Sequence, residues 1–322
     1  MKQVSLIKIS TLSALLMMSP LMLAGEKINE TLNTTAKGEV FLEVMNGKVT
    51  IKTWDKNEVQ VKGELDDKAE GFIFELDGDR VTFEVEMPKR NWSGWGNNWS
   101  ENGSTLEIWM PTTNRVRFEG VNTDIDIENV TGGSKVNTVN GDISAEKLSH
   151  RVSLETVNGK INADSLSGDI TLNTVNGKVR DKNSSGELHI ETVNGDIDSK
   201  TDATKLTLNN VNGDLTIETH KSSDTDVSTV NGDLELTITL IEDSRLVYSS
   251  VGGDADIFFK GDISADFDIE THAGGDIDNY LTSERARKDK YGPGEKLRFK
   301  MGKGSADVEI DTVSGDVSLK KK

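Results

Sequence analysis

Three tryptophans in a short polar segment, residues 91–100, have the clearest potential for binding chemistry. Trp92, Trp95 and Trp99 are separated by Gly, Asn and Ser and follow no hydrophobic alternation. An exposed indole ring can stack on a sugar ring or anchor a protein partner, because it combines a large apolar area with a polar N–H. The same segment could instead cover an open end of the fold. We favour that structural role and keep the three tryptophans as the candidate binding residues.

A second set of candidates consists of the charged residues that follow a repeated Asn-Gly pair. This position holds Asp124, Asp142, Lys160, Lys178, Asp196, Asp214 and Asp233. Carboxylates stacked about 5 Å apart repel one another unless water or a cation intervenes. Because calcium prefers oxygen ligands, Asp196, Asp214 and Asp233 are a candidate Ca²⁺ contact. A solvated charged edge is the preferred interpretation, since each Asp offers one carboxylate and a dedicated site uses six or more oxygens.

Catalytic chemistry has less support in the sequence. The histidines occupy different positions of the repeat, so periodicity does not gather them into a metal site or a triad: His150, His189, His220 and His272. Exported parallel β-helices include polysaccharide lyases and hydrolases, and the residues that could serve such an enzyme here are Lys160, Lys178, Arg180 and Asp196. Fold analogy alone is a weak argument for function. We therefore predict no catalytic residues, no metal site and no cofactor, with a carbohydrate-active enzyme as the alternative.

These residues are positioned by an eighteen-residue repeat marked by Thr-Val-Asn-Gly. Its Asn-Gly pairs are Asn140-Gly141, Asn158-Gly159, Asn176-Gly177, Asn194-Gly195, Asn212-Gly213 and Asn231-Gly232. The asparagines are spaced 18, 18, 18, 18 and 19 residues apart, and a degenerate copy at Asn122 lies 18 residues before the first. Looser copies end at Asp254, Asp276 and Asp316. A fixed period of this size is typical of a solenoid.

Apolar residues alternate with period two within each repeat, which predicts short strands with one buried face. Ile170 and Leu172 precede one Asn-Gly pair and Val179 follows it. Asn and Gly tolerate positive φ, so each pair is predicted to form a structural turn, with a second turn about half a coil away near Gly168. We therefore expect an all-β parallel solenoid, with two facing sheets around a thin aliphatic core. The recurring threonine is expected to support the sheet rather than form an ice-binding face.

Other architectures are compatible with parts of this pattern. Asn-Gly is also a strong hairpin signal, so a meander of antiparallel strands is the main rival. Eighteen residues also equal three hexapeptides of a left-handed helix, but Ser149 and Glu155 break the aliphatic spacing that follows Ile143. Calcium-binding nonapeptide repeats need Gly-Gly-x-Gly-x-Asp in series, which this sequence does not contain.

Three segments are predicted along the chain. Residues 1–24 resemble a signal peptide, with Lys2 and Lys8 before an apolar stretch and Ala24 at its end. Residues 25–118 read as the β-rich N-terminal part of the solenoid or its cap. Residues 119–322 hold the repeats, a charged insertion at about 278–296 and a final coil. The chain has no cysteine, so neither a lipoprotein anchor nor a disulfide is expected.

Composition narrows the range of partners. A net charge of −18 and 5% aromatic residues argue against nucleic acid, which needs a net basic surface. No later segment approaches the roughly 18–20 apolar residues of a membrane helix, so no transmembrane segment is expected in the mature chain. With the signal peptide, these features predict a periplasmic or extracellular protein whose partner is a glycan or another envelope or surface protein.

The motifs together resemble the bacterial putative-adhesin family. An Asn-Gly pair stands between two alternating apolar runs from Gly38 to Asp55, Thr-Val-x-Gly-Asp-Ile coils follow, and the sequence closes on Thr312-Val313-Ser314-Gly315-Asp316. The resemblance covers most of residues 35–320. It implies a β-solenoid without an established activity and an adhesive or envelope role, and it supplies no functional residues to transfer. We accordingly expect an exported, non-catalytic structural or adhesin-like binding module.

Overall fold

This computed structural model describes residues 25–88 and 102–322. The described residues form 27 β-strands joined by turns and loops, and they contain no helix. The predicted signal peptide and Trp92, Trp95 and Trp99 lie outside the described residues. The described residues include no helix that could span a membrane.

The N-terminal strands are β1 (Lys27–Asn33), β2 (Glu39–Trp54), β3 (Glu58–Glu64), β4 (Gly71–Asp77), β5 (Arg80–Glu86), β6 (Ser104–Pro111) and β7 (Arg115–Glu128). The central strands are β8 (Ser134–Asn137), β9 (Ile143–Glu146), β10 (Ser149–Thr156), β11 (Ile161–Asp164), β12 (Ser167–Asn176), β13 (Val179–Lys182), β14 (Ser185–Asn194), β15 (Ile197–Thr201), β16 (Lys205–Asn212), β17 (Leu215–Thr219), β18 (Asp224–Asn231), β19 (Leu234–Ile238), β20 (Arg245–Gly252) and β21 (Ala255–Phe259). The C-terminal strands are β22 (Ala265–Thr271), β23 (Ile277–Asn279), β24 (Arg287–Lys288), β25 (Glu295–Met301), β26 (Ala306–Thr312) and β27 (Val317–Lys321).

Parallel pairing between successive coils forms two ladders. In the first ladder β8, β10, β12, β14, β16, β18 and β20 pair in that order, and in the second β9, β11, β13, β15, β17, β19 and β21 do the same. Leu172 is in register with Leu154 on one side and Ile190 on the other, a step of one repeat. The fold is therefore the predicted parallel β-solenoid. The antiparallel meander is excluded, because its neighbouring strands would run in opposite directions.

The core is a thin aliphatic layer between the two ladders. Leu154, Leu172 and Ile190 line it from the first ladder, and Ile161 and Val179 from the second, all without solvent exposure. Because each coil stacks mainly on the coils above and below, its stability depends on those neighbours.

The N-terminal end of the stack does not follow chain order. β2 pairs in parallel with β5 and β6 on one side and with β7 on the other, so β2 forms the second coil although it precedes β5 and β6 in the sequence. Strands β4, β3 and β1 are then added antiparallel and cover this end. Antiparallel strands beyond the last coil remove the open parallel edge that would otherwise template aggregation.

The C-terminal end is arranged in the same way. The coil of β26 and β27 lies between the coil of β20 and β21 and the coil of β22 and β23. The charged insertion contains no helix, and its last part enters an antiparallel hairpin, β24–β25, in which β25 pairs with β22. Extended structure is favoured here because Leu297 and Phe299 alternate with charged residues, and the Phe299 ring stacks on Phe267 at 4.4 Å.

Candidate functional site

The asparagines of the repeat form a continuous hydrogen-bonded ladder along one corner of the solenoid. Each Nδ2 donates to the Oδ1 of the asparagine one coil earlier, at 2.7 Å for Asn140 to Asn122 and 2.8 Å for Asn176 to Asn158. The same bond joins the remaining members, Asn158, Asn194, Asn212 and Asn231, to their predecessors. The glycine of each pair is required by close approach, since a Cβ on Gly141 would lie 1.7 Å from the Thr123 carbonyl oxygen. Positive φ occurs only at Gly213 and Gly232 among these pairs, so a structural turn role for all of them stays a prediction.

The charged residues after the Asn-Gly pairs form a row along the same corner, here called the corner row, and its aspartates accept hydrogen bonds from the next coil. Asp124 Oδ1 accepts a hydrogen bond from the backbone N–H of Asp142 at 2.9 Å, and Asp214 Oδ1 accepts one from Asp233 at 3.1 Å. Within residues 25–88 and 102–322, no three His, Cys, Asp or Glu side chains are grouped to hold a metal ion. The geometry gives no support to a Ca²⁺ contact at Asp196, Asp214 and Asp233, which stays a prediction.

The threonines lie beneath the same corner and are buried. The Thr156 hydroxyl donates to the Gly141 carbonyl at 3.0 Å and the Thr174 hydroxyl to the Gly159 carbonyl at 3.1 Å. Asn210 stands in the threonine position of its coil, and its Nδ2 donates to the Gly195 carbonyl at 2.8 Å. At Thr156 and Thr174 the hydroxyl therefore fastens one coil to the next, and all of these buried threonines are kept from an outer face.

A row of exposed valines runs beside the asparagine ladder, and our sequence analysis did not identify it. The row comprises Val139, Val157, Val175, Val193, Val211 and Val230, each 37–39% exposed. The sequence does contain a signal for this row, because valine recurs at one position of the repeat, between an inward threonine and an outward asparagine.

A concave feature lies on the outer face of the second ladder, across β2, β7, β9, β11 and β13. It is an open groove of about 410 Å³. Ser144 and Asn162 occupy the middle of the face, where their short side chains leave a depression. Longer side chains bound it, with Lys52 at one end and Arg180 and Lys182 at the other. The alternation of each strand places these side chains outward, while their neighbours fill the core.

Electrostatics differ between the two ends of the groove. At the N-terminal end Lys48 pairs with Asp126 at 2.9 Å, and Lys52 pairs with Glu107 at 3.3 Å. At the other end, among residues 25–88 and 102–322, no carboxylate lies within ion-pair distance of Arg180 or Lys182. The free guanidinium and ammonium groups offer hydrogen-bond donors to a ligand in the groove.

Asp164 lies beside this free positive charge. Its carboxylate accepts hydrogen bonds from Ser165 Oγ at 2.7 Å and Asn183 Nδ2 at 3.3 Å. These bonds, together with Lys182 and Lys147, lower the pKa of Asp164. Asp164 is thus held as an acceptor of hydrogen bonds, the reverse of what a general acid needs.

An aromatic pair adjoins the N-terminal end of the groove. The rings of Trp54 and Trp109 stack with centroids 5.7 Å apart, and both side chains are half-buried. Trp109 is in register with Lys52, whose Nζ lies 5.4 Å from the Trp109 ring centroid. Both indole N–H groups donate to protein acceptors, Glu58 O and Glu107 Oε1, which fixes the rings. Our sequence analysis missed both residues, although Trp109 alternates with the buried Ile108 and Met110.

The candidate enzyme residues do not converge on one site. Arg180 enters the groove, whereas Lys160, Lys178 and Asp196 lie in the corner row, where Lys178 Nζ is 3.8 Å from Asp196 Oδ2. The histidines are dispersed, as their unequal positions predicted. His220 contacts Glu218 at 3.2 Å, and His272 contacts Asp311 at 3.0 Å near the C-terminal end.

Comparison with known proteins gives a family and distant structural likenesses. The family model described as Toastrack DUF4097 matches residues 38–320, and no curated protein matches the chain. A putative cell adhesion protein from Clostridium sporogenes is 11% identical, with 92% of this chain and 100% of that chain covered and a TM-score of 0.27. A putative adhesin from Bacteroides fragilis is 12% identical, with 94% and 100% covered and a TM-score of 0.34.

A third similar structure, a putative lipid binding protein from Parabacteroides distasonis, is 14% identical, with 73% of this chain and 94% of that chain covered and a TM-score of 0.32. The family match spans both ladders and most of the chain. The chain therefore belongs to the Toastrack DUF4097 family, the putative-adhesin family that its repeat motifs resemble.

Proposed function

We propose that the chain is an exported, non-catalytic binding module of the bacterial cell envelope, and that it binds a glycan along the outer face of the second ladder. The observation that carries this proposal is the groove itself, with the unpaired Arg180 and Lys182 at one end and the Trp54–Trp109 pair at the other. The predicted signal peptide supports export, and the acidic, cysteine-free composition suits a periplasmic or extracellular location.

The groove has the dimensions and chemistry for an extended polymer. It crosses five successive coils, which at about 4.8 Å per step span roughly 19 Å. Planar amide, carboxylate and guanidinium groups at Asn162, Asp164 and Arg180 can hydrogen-bond neighbouring hydroxyls of a sugar. The stacked tryptophans offer an apolar face for a sugar ring. A rigid sheet holds all of these groups in fixed positions, which reduces the entropy cost of binding.

A carbohydrate-active enzyme on the same scaffold is the alternative, and the site chemistry does not favour it. Glycoside hydrolysis needs one carboxylic acid held protonated near neutral pH. Asp164, the groove carboxylate nearest Arg180 and Lys182, has a lowered pKa and does not meet this need. The other candidates from the sequence, Lys160, Lys178 and Asp196, lie in the corner row rather than in the groove.

The test is a glycan and envelope-polysaccharide binding screen with the chain that begins at residue 25. In an Asn162→Ala/Arg180→Ala variant we expect affinity to fall at least tenfold, since two groups of hydrogen-bond donors are lost. The matched control is Arg151→Ala/Asn173→Ala, which removes the same residue types from the outer face of the first ladder. Equal affinity of the two variants would place binding elsewhere, and release of shortened glycan would establish the enzyme.

A separate variant examines the candidate binding residues outside the described part of the chain. Trp92→Ala/Trp95→Ala/Trp99→Ala removes the three indoles that the sequence nominates. If these residues bind the glycan together with the groove, this variant and the groove variant each weaken binding. If only the triple tryptophan variant weakens it, the groove is not the binding surface.

A further inference from the structure

The C-terminal hairpin concentrates positive charge on an otherwise acidic molecule. Residues 285–303 contain eight Lys or Arg and two Asp or Glu, in a chain of net charge −18. The hairpin is formed by β24 and β25, and it follows β22 at the end of the first ladder. The charge is therefore located at one tip of the solenoid rather than along its sides.

Part of this charge is used to fasten the hairpin. Lys296 pairs with Glu270 at 2.9 Å, Arg298 with Asp268 at 2.8 Å, and Lys300 with the neighbouring Asp266. These ion pairs lie across the antiparallel pairing of β22 with β25. With the stacked Phe299, they hold the hairpin firmly against the last coil.

Lys288 also pairs, with Glu295 at 3.4 Å, but three further cations of the hairpin region have no ion-pair partner among the described residues. Arg285, Arg287 and Lys290 are exposed, and no carboxylate in residues 25–88 or 102–322 lies within ion-pair distance of any of them. A solvated loop that only joins two strands has no need of this excess. Three unpaired cations on a fastened hairpin instead present a preformed site for negative charge.

Two exposed tyrosines accompany these cations. Tyr291 is 91% exposed in the turn of the hairpin, and Tyr280 is 65% exposed before it. Lys290 Nζ lies 5.1 Å from the Tyr291 ring centroid. Tyrosine has an apolar ring and a polar hydroxyl, and it is enriched at the boundary between lipid headgroups and hydrocarbon. A free anion or a soluble acidic polymer would give no reason for the exposed rings.

We propose that the β24–β25 hairpin docks on a bilayer surface that contains anionic phospholipids, with the solenoid standing on its C-terminal end. Arg285, Arg287 and Lys290 contact headgroup phosphates, and the Tyr291 ring enters the interfacial layer. This proposal is independent of the glycan groove, which lies on the outer face of coils much nearer the N-terminus.

The end-on orientation follows from the distribution of charge. The corner row near this end carries Asp233, Asp254, Asp316 and Asp276, which an anionic surface repels. At physiological salt, charges more than about 8 Å from the surface are largely screened. One coil adds about 4.8 Å, so only the last coils experience the surface when the molecule stands upright. Lying on this corner would bring all of these aspartates against the membrane.

The test is co-sedimentation of the chain that begins at residue 25 with vesicles of phosphatidylcholine, alone or with one third phosphatidylglycerol. We expect binding to the anionic vesicles only, weakened by added salt. Arg285→Ala/Arg287→Ala/Lys290→Ala should bind at least tenfold more weakly, since each cation near such a surface contributes roughly fivefold. Lys135→Ala/Arg151→Ala/Lys205→Ala changes the net charge equally on the outer face of the first ladder and should bind as the unmodified chain does.

A second measurement locates the contact. Because the chain has no cysteine, Tyr291→Cys and Ser153→Cys each accept one environment-sensitive dye. The dye at position 291 should shift to the blue with anionic vesicles, and the dye at 153 should not. Equal binding of the two triple variants, equal binding to neutral vesicles, or sedimentation without vesicles would overturn the proposal. So would tight binding of soluble polygalacturonate by the hairpin with no dye shift on vesicles.

Discussion

Asp181 places a carboxylate in the aliphatic core, at the position that Ala145 and Ala163 occupy in the two preceding coils. The residue is 1% exposed, and its oxygens accept hydrogen bonds from Ser184 Oγ and, at 3.0 Å, from Ser199 Oγ. Burial raises the pKa of Asp181 to about 6, because desolvation outweighs the two hydroxyl bonds. Near neutral pH the core therefore contains a charge whose burial costs free energy.

The pH dependence of this cost gives a prediction for Asp181→Asn. The pKa is 3.8 in the unfolded chain and about 6 in the folded one. Between these values the folded state holds more protons, so the free energy of unfolding falls as pH rises from about 4 to 6 and then levels off. We expect the free energy of unfolding of the variant to exceed that of the native chain by about 2–3 kcal/mol at pH 7.5 and to equal it below pH 4.

Urea denaturation of both chains at pH 4 and pH 7.5 measures that difference. Other titrating groups cancel, because the comparison is made between the two chains at each pH. A gain that is the same at both pH values would show that Asp181 is not protonated on folding and that the variant acts through packing alone.

At the level of the strand, alternation decides which residues enter the core and which remain outside. Leu172 has no exposed surface and packs between Leu154 and Ile190, as its place in the repeat predicted. The same alternation puts Asp181 inward two residues after Val179, so the sequence did contain that signal. We overlooked this signal because an aspartate is ordinarily expected on the outer face of a strand.

The candidate site was less predictable than the strands. The period specifies which residues share an outer face, and it placed Arg180 there. A groove arises only where short side chains such as Ser144 and Asn162 lie between long ones on different coils. Trp54 and Trp109 meet across 55 residues of chain because β2 pairs with β6, a contact that no spacing in the sequence reveals.

Two neighbouring substitutions in β12 test the orientation of the strand. Leu172→Asp places an unpaired charge in the core, so we expect a loss of at least about 4 kcal/mol and unfolding of adjacent coils. Thr171→Asp adds the same group one residue away on the outer face and should cost less than about 1 kcal/mol. Thermal melting followed by circular dichroism distinguishes them. Unchanged melting of Leu172→Asp would contradict the inward assignment.

Across the whole molecule, stacking order and chain order agree only in the centre. β2 and β7 are adjacent coils although β3, β4, β5 and β6 come between them in sequence, and at the other end β26 and β27 are inserted beneath β22 and β23. At each end, strands that come later in the sequence pair with a coil that comes earlier in it, out of chain order. The repeat predicts which strands are neighbours only where successive copies follow one another directly along the chain. At both ends other strands intervene, so the prediction fails there.

The inserted final coil gives the last prediction. Ile310 in β26 is 1% exposed and is in register with Tyr248 of β20 on one side and Ile269 of β22 on the other. In a stack that followed chain order, Ile310→Asp would fray only the last coil. Here we expect hydrogen exchange to accelerate across β22 and β25 as well, at least tenfold, while β10 to β16 stay protected because coupling is between neighbours. Glu309→Gln, the adjacent outward residue, should leave exchange unchanged. If β22 and β25 exchanged as slowly in Ile310→Asp as in the native chain, β26 would not be the coil that supports them.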